Sequence, residues 1–158
     1  MQEFLKINNI SLTYQADNSE VTALKDLSFS MEEGEFVSLV GPSGCGKSTL
    51  LSILAGMLKP TGGEVLLLGK KVEGVSPSIA YMQQDDNLLE WRTIYKNILF
   101  GLQIQKKMTE DNIRYVDRLM KSYGLAEFKD HYPSQLSGGM RQRAALIRTL
   151  AIRPRILL

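Results

Sequence analysis

The sequence predicts an α/β domain that carries a mostly helical insertion. Short apolar runs bounded by turn residues fill the first half, as is typical of strands. A glycine-rich turn separates one of these runs from a helical pattern, and helical periodicity dominates the second half. The 158 residues are enough for one domain with a hydrophobic core, and 44% apolar with 23% charged residues is a globular composition.

The apolar runs of the first half predict five short strands. They cover residues 4–14, 22–31, 35–40, 64–68 and 78–82. A polar turn at 16–20 is expected to join the first two strands. The run at 35–40 is short and largely apolar, which predicts a strand buried within a sheet. A helix between this strand and the next would give the first half a βαβ-like order.

Helical patterns follow the glycine-rich turn and return in the second half. A helix is expected from about Lys47, with Leu50, Leu54 and Leu58 on one face, and Lys59–Gly63 should end it. Residues 91–123 are also helical in pattern. Within them Thr109 can cap a helix, and the acidic residues after it suit the first turn. The apolar face of that helix is expected to comprise Ile113, Val116, Met120 and Tyr123.

The last part of the chain predicts one more helix and one more strand. A polar loop at 130–137 precedes a helix whose apolar stripe is Met140, Ala144, Ile147 and Ala151. Residues 156–158 have the character of a buried strand. The whole pattern predicts a single domain over 1–158, with an α/β core at 1–84 and 138–158 and a mostly helical insertion at 85–137.

Charge and cysteine content exclude several classes of protein. Nineteen basic and seventeen acidic residues give a net charge of +2, which is too small and too scattered to indicate nucleic-acid binding. The single cysteine, Cys45, cannot form an intrachain disulfide and favours a reducing compartment. The N-terminus lacks the pattern of a signal peptide, and every apolar run is far shorter than a membrane span. Any membrane role is therefore expected to depend on a partner.

The glycine-rich turn fits the phosphate-binding pattern G-x-x-x-x-G-K-[ST]. It lies between an expected strand and an expected helix, where backbone N–H groups and the helix dipole can hold an anion. Lys47 is expected to reach the β- and γ-phosphates of ATP, Ser48 to ligate Mg²⁺, and Thr49 to contact the α-phosphate. The expected ATP-binding residues are Gly41, Pro42, Ser43, Gly44, Cys45, Gly46, Lys47, Ser48 and Thr49. The alternative for the whole loop is a glycine-rich turn that matches the pattern by accident. Within the loop, Cys45 is expected to be a spacer and not a reactive thiol.

A second Ser/Gly motif, Leu136–Arg143, reads L-S-G-G-M-R-Q-R. Ser137 offers a hydroxyl, Gly138 and Gly139 allow a close approach to their N–H groups, and a helix is expected to begin directly after them. This motif resembles the L-S-G-G-Q signature of the ATP-binding cassette (ABC) family, with Met140 in place of glutamine. The alternative is an ordinary Ser/Gly helix start.

The resemblance implies a P-loop NTPase core of the RecA-like type, with N-terminal antiparallel strands and an inserted helical subdomain. It implies a head-to-tail dimer in which Ser137, Gly138 and Gly139 close over the nucleotide of a second nucleotide-binding subunit. By resemblance Tyr14 stacks on adenine, although a core or edge-strand tyrosine is the alternative. By resemblance Gln84 contacts Mg²⁺ and the attacking water, with Gln83 as a rival. Lys47 and Gln84 are thus the expected catalytic residues.

The segments Leu88–Thr93, L-L-E-W-R-T, and Leu136–Arg143 most resemble the ATPases of nitrate, sulfonate and taurine importers. The Trp91 region resembles the surface that meets the membrane permease, and a core position for Trp91 is the alternative. A periplasmic or extracellular binding protein would act indirectly, and no nucleic acid is expected. The chain would then lie peripherally at the cytoplasmic face of the membrane. His131 is expected to be a solvated loop residue and does not match the switch histidine of the family.

The family continues from a strand such as 156–158 into a Walker B aspartate and a catalytic glutamate. The sequence ends at Leu158, so we expect a fragment that binds nucleotide but does not hydrolyse it by itself. A non-catalytic nucleotide-binding remnant is one alternative. A soluble, non-transport ABC ATPase is another, and a phosphate-loop kinase remains only if the signature is coincidental.

Overall fold

The computed structural model of the protein describes residues 4–16 and 19–158. They form two compact units, one ending at Ser76 and the other covering Pro77–Leu158. In this described part of the chain, no helix combines the length and the hydropathy needed to cross a membrane.

The first unit is built on a four-stranded antiparallel sheet in the order β2-β1-β3-β4. Its strands are β1 (Leu5–Ala16), β2 (Ser19–Met31), β3 (Gly62–Leu67) and β4 (Lys70–Lys71). The predicted early pair of strands is confirmed and is longer than expected, because β1 and β2 remain paired as far as Ala16 and Ser19. The rest of the expected turn, residues 17 and 18, lies outside the described residues.

Helix α1 (Lys47–Leu54) follows the glycine-rich loop, and its buried residues are Leu50, Ile53 and Leu54. The expectation that it would reach Leu58 and end at Lys59–Gly63 is wrong, because α1 ends at Leu54. Gly56 takes a left-handed φ of 72°, and an added Cβ there would lie 2.1 Å from the carbonyl oxygen of Gly74. The helix ends because this position requires a turn conformation against neighbouring backbone.

The predicted buried strand at 35–40 is also wrong. These residues join no strand ladder in the described part of the chain, and Phe36 and Val40 are 91% and 93% exposed. A strand exists only where a neighbouring strand accepts and donates its ladder hydrogen bonds, and an apolar run does not reveal whether that neighbour is present. The strand–helix–strand order expected for the first half is present, but it is made by β2, α1 and β3 and does not include residues 35–40.

The second unit is mostly helical. Its helices are α2 (Ile94–Ile98), α3 (Phe100–Ile104), α4 (Glu110–Ser122) and α5 (Gly138–Ala151), with 3₁₀ turns at Ala126–Phe128 and Pro133–Gln135. The parallel pair β5 (Ile79–Ala80) and β6 (Ile156–Leu157) confirms the two strands expected near 78–82 and 156–158.

The helical pattern at 91–123 is confirmed and comprises three helices, α2, α3 and α4. Lys106 takes a left-handed φ of 55° just after α3, which interrupts the helical path before α4. The cap predicted at Thr109 is confirmed, because its side chain accepts a hydrogen bond from the N–H of Asn112 at 3.3 Å.

Helix α5 is central to the core of the second unit. Ala144, Ile147 and Ala151 of its predicted stripe are fully buried, and Met140 packs at the margin. Val116 and Met120 of α4 and Ile98 of α2 are buried in the same cluster. Small side chains on α5 allow the neighbouring helix backbones to approach closely.

The compact units divide at 76/77, whereas the sequence placed the boundaries at 84/85 and 137/138. The difference arises because the apolar face of α5 packs on α2 and α4. The assignment of residues 138–158 to an α/β core stays a prediction.

Two glycines provide a matched test of the turn after α1. Gly56 and Gly69 have nearly the same left-handed φ, 72° and 73°, but a Cβ on Gly69 would meet nothing within 4 Å. We expect Gly69→Ala to cost about 1–2 kcal/mol of unfolding free energy from backbone strain. Gly56→Ala should cost roughly 1–3 kcal/mol more, because its methyl group collides with backbone. Equal losses in denaturant titrations would contradict the close approach at Gly56.

Candidate functional site

The glycine-rich loop predicted to bind phosphate, Gly41–Ser48, leads directly into α1, and we name it the phosphate loop. Gly46, with a φ of 93°, is the N-cap residue and makes no side-chain cap. The first intrahelical hydrogen bond runs from the N–H of Leu50 to the carbonyl of Gly46 at 2.9 Å. The earlier N–H groups, those of Lys47, Ser48 and Thr49, have no acceptor within an α-helix. The start of α1 therefore presents donors and the positive end of the helix dipole to an anion.

The ammonium group of Lys47 lies beside the first two residues of this loop. Its Nζ donates to the carbonyl oxygens of Gly41 at 2.8 Å and Pro42 at 2.7 Å. These contacts hold a positive charge next to the N–H groups of the helix start. The loop therefore combines the two kinds of donor that bind a polyphosphate.

Cys45 lies on the outside of the same loop. Its thiol is exposed, and the Sγ atom is 3.5 Å from Nζ of Lys47. A Cβ added to Gly41 would lie 2.7 Å from this Sγ. The thiol thus occupies space beside Gly41, which is consistent with its expected role as a spacer.

The loop is packed against β2 at a β-bulge. Leu12 pairs with Leu24 and Thr13 with Thr22, so Ala23 is the extra residue. A Cβ added to Gly46 would lie 2.6 Å from the Ala23 carbonyl oxygen, so only glycine fits there without a shift of the backbone. Bulges are frequent beside functional sites, where they redirect the strand. The sequence analysis missed this contact.

Tyr14 lies on the same hairpin and is 44% exposed, which excludes the core alternative. It pairs with Val21, two residues along β1 from the Leu12–Leu24 pair that faces Gly46. At about 3.4 Å per residue, this is about 7 Å along the strand. The tyrosine is thus exposed on the hairpin that supports the phosphate loop.

The Ser/Gly motif forms the N-terminus of α5. Ser137 is the N-cap residue, and its hydroxyl accepts from the N–H of Met140 at 3.3 Å. The hydroxyl hydrogen can still be donated. Ser137, Gly138 and Gly139 are all exposed, and a Cβ added to either glycine would meet nothing within 4 Å. The motif is therefore a second exposed helix N-terminus.

Gln83 and Gln84 are both exposed, but their surroundings differ. The amide oxygen of Gln83 accepts from the side chain of Asn87 at 2.7 Å. The backbone carbonyl of Gln84 accepts from the side chain of Gln142 at 3.1 Å. The side-chain amide of Gln83 is therefore hydrogen-bonded within the loop, whereas the contact of Gln84 is made by its backbone. This difference favours Gln84 over Gln83 as the candidate ligand-binding residue. We name residues 83–87 the glutamine loop.

Two arginines of α5 hold the glutamine loop, and the sequence analysis missed both. Arg141 donates from Nε to the Asp86 carboxylate at 2.9 Å. Arg148 donates to the backbone carbonyls of Asp86 at 2.6 Å and Asn87 at 2.7 Å. Their spacing of seven residues, which places them on one face of a helix, was the signal available in the sequence.

Charges in this cluster shift two pKa values. Partial burial raises the pKa of Asp86, but the N–H of Leu88 and the charges of Arg141 and Arg148 outweigh it and leave the pKa below its ordinary value. Burial of the Arg148 guanidinium lowers its pKa, and the charge of Asp86 opposes this shift. Asp86 is therefore held as a carboxylate between two cations.

Trp91 is 75% exposed, which excludes its placement in the core. The loop that carries it is held by Asn97, a fully buried polar side chain. The amide of Asn97 accepts from the N–H of Leu89 at 2.7 Å and donates to the carbonyls of Arg92 and Thr93, each at 3.1 Å. A polar side chain buried in the core thus fixes a loop that presents an aromatic surface.

His131 lies in a loop, as expected, but its ring is not fully solvated. The ring is partly buried against Phe128, with centroids 5.2 Å apart, and its Nδ1 atom is buried. The backbone of His131 is also hydrogen-bonded, because its carbonyl accepts from the N–H of Ile94 at 2.8 Å. The ring packs inward because the backbone on both sides is tied to neighbouring turns.

The profile of the ABC transporter family matches residues 24–158, which include the phosphate loop, the glutamine loop and the Ser/Gly motif. The chain belongs to the ABC transporter family.

Curated relatives of this ABC protein include transporter subunits. It is 44% identical over 155 residues to the uncharacterized ABC transporter ATP-binding protein YtlC of Bacillus subtilis, covering 98% of this chain and 60% of YtlC. It is 41% identical over 155 residues to the taurine import ATP-binding protein TauB of Roseobacter denitrificans, covering 98% of this chain and 58% of TauB. The chain thus spans about 60% of the length of the curated relatives it matches.

A solved structure confirms the predicted fold class. It is the dimeric structure of a post-hydrolysis state of the ATP-binding cassette MJ0796 bound to ADP and Pi. The similarity has a TM-score of 0.85 at 34% identity, covering 97% of this chain and 72% of that chain.

Proposed function

We propose that this protein binds Mg²⁺–ATP at the phosphate loop and, in its full-length form, hydrolyses it as the energy-coupling subunit of an ABC importer. The observation that carries the proposal is the start of α1, where uncapped N–H groups and the Lys47 ammonium converge. This donor set suits the β- and γ-phosphates. Membership in the ABC transporter family supports the same ligand.

The remaining residues of the site fit a nucleotide. The donor set of Gly41–Thr49 would hold the phosphates, and Tyr14 would stack on the adenine. Ser48 is exposed in the first turn of α1 and offers one neutral oxygen ligand for Mg²⁺. Mg²⁺ commonly keeps several waters and takes its other ligands from substrate phosphates, so one hydroxyl is a suitable protein contribution. By the family resemblance alone, Gln84 is proposed to contact Mg²⁺ and to orient the attacking water.

A second subunit would complete the site. Ser137, Gly138 and Gly139 form an exposed anion-binding end on α5, and we propose that they contact the nucleotide held by a partner copy in a head-to-tail dimer. The dimer named for the MJ0796 cassette supports this arrangement.

We propose a small anion such as nitrate, a sulfonate or taurine as the imported solute. The printed functions of the relatives support this class, since they include taurine import and nitrate import. The exposed Trp91 would contact a membrane permease and hold the protein at the cytoplasmic face of the membrane. A periplasmic or extracellular binding protein would act only through that permease.

The first test of the nucleotide site is Lys47→Ala in the full-length protein. Loss of charge-assisted contacts worth roughly 1.5–3 kcal/mol each should weaken ATP binding about tenfold or more. Lys59→Ala is the matched control, because Lys59 is exposed in the same unit but lies outside the loop. Isothermal calorimetry measures both affinities, and an unchanged affinity for Lys47→Ala would contradict the site.

Stacking at Tyr14 is tested by two substitutions. Tyr14→Ala should weaken ATP binding by about 1–3 kcal/mol if adenine stacks as nucleic-acid bases do on aromatic side chains. Tyr14→Phe keeps the ring and should leave the affinity nearly unchanged. If both substitutions weaken binding equally, the hydroxyl is responsible and stacking is not.

The composite site is tested by Gly139→Ala. The added methyl group meets nothing within 4 Å in the described part of the chain, and alanine should stabilise α5 by about 0.5–1 kcal/mol. We nevertheless expect weaker ATP-driven dimerisation in analytical ultracentrifugation, because the methyl group would obstruct the partner's phosphate. A variant that is more stable and dimerises normally would refute the composite site.

A further inference from the structure

The polar face of α5 binds the glutamine loop through three side chains. Gln142 donates to the carbonyl of Gln84 at 3.1 Å, and Arg148 donates to the backbone of Asp86 and Asn87. Arg141 donates to the Asp86 carboxylate. A single helix thus holds this loop at Gln84, Asp86 and Asn87.

Arg141 has a second contact at the other functional end of α5. Its Nη1 donates to the carbonyl of Leu136 at 3.1 Å, directly before Ser137. One guanidinium group therefore bridges Asp86 and Leu136, the first residue of the Ser/Gly motif. The planar fork of arginine suits this task, because its donors are fixed relative to one another.

The ion pair between Arg141 and Asp86 is partly shielded from solvent. The side chains of Arg141 and Asp86 are 36% and 22% exposed, so solvent screens the pair only in part. Asp86 also accepts from the N–H of Leu88 at 3.1 Å, which fixes the carboxylate to its own loop. A displacement of the loop must therefore move Arg141 or break these contacts.

We propose that Arg141 is a positioning residue, anchored by Asp86, that makes the glutamine loop and the Ser/Gly motif move as one body. Arg148 and Gln142 hold the same loop from further along α5. The functional part of this inference rests on the proposed function, in which Gln84 contacts one nucleotide and Ser137 contacts the partner's. The bridge would make the placement of Ser137 depend on the position of Gln84.

The mechanical part is tested without nucleotide by hydrogen–deuterium exchange. Asp86→Ala should speed exchange about tenfold in residues 84–89 and also at Met140 and Arg141, whose N–H groups donate to Ser137 and lie about fifty positions away in sequence. Arg141→Gln should do the same, and the double variant should be no worse than either single variant, because all three break one bridge.

Arg143→Gln is the matched control on α5. Arg143 donates to the carbonyl of Tyr123 at 2.9 Å instead of to the glutamine loop. Its loss should leave exchange at 84–89 unchanged. The inference fails if Asp86→Ala leaves exchange at Met140 and Arg141 unchanged, or if Arg143→Gln reproduces the exchange pattern of Asp86→Ala.

The functional part is tested in the full-length protein. Asp86→Ala should lower kcat for ATP hydrolysis about tenfold, equivalent to about 1.4 kcal/mol, while the Kd for ATP stays within about twofold. Arg114→Gln breaks the exposed ion pair with Glu110 on α4 and should leave kcat within about twofold. An unchanged kcat for Asp86→Ala would overturn the functional coupling.

The two proposals can fail separately. If Lys47→Ala leaves ATP binding intact, the proposed nucleotide site is wrong while the exchange result still decides the bridge. If Lys47→Ala abolishes binding but Asp86→Ala changes neither exchange nor kcat, the bridge alone is wrong.

Discussion

The close packing of α5 is the constraint on which the second unit depends. Ala144 and Ala151 are fully buried, so the helices around them must approach the α5 backbone closely. This buried face fixes the rotation of α5 about its own axis. With that rotation set, Arg141 and Arg148 face the glutamine loop, and Ser137 caps an exposed N-terminus. Burial on one side of a helix thus determines the chemistry on the other side.

The first unit positions its loop by a different means. The antiparallel hairpin of β1 and β2 offers a backbone surface, and the bulge at Ala23 brings a carbonyl against Gly46. The Ala23 carbonyl and the Leu24 side chain both face Gly46, and both take their positions from the strand register. Tyr14 takes its place from the same register. Strand pairing, not helix packing, therefore relates the aromatic ring to the phosphate loop.

Local patterns predicted the features whose physics is local. The helix at Lys47, the cap at Thr109 and the buried stripe of α5 depend on neighbours three or four residues away. The bridge between Asp86 and Arg141 joins residues 55 positions apart, and no spacing rule finds such a pair. The strand expected at 35–40 failed for a related reason, because pairing depends on a distant partner. Motifs predicted which residues could hold a nucleotide, but not what holds those residues in place.

The segment at 35–40 has a consequence for handling the protein. Its Phe-Val-Ser-Leu-Val run is rich in β-forming residues, and its ends at Phe36 and Val40 are almost fully exposed. An extended apolar run without a ladder is a template on which another chain can add a strand. Such runs make a polypeptide prone to aggregation during expression and concentration. We therefore expect residues 36–40, directly before the phosphate loop, to be the segment that most limits the solubility of the protein.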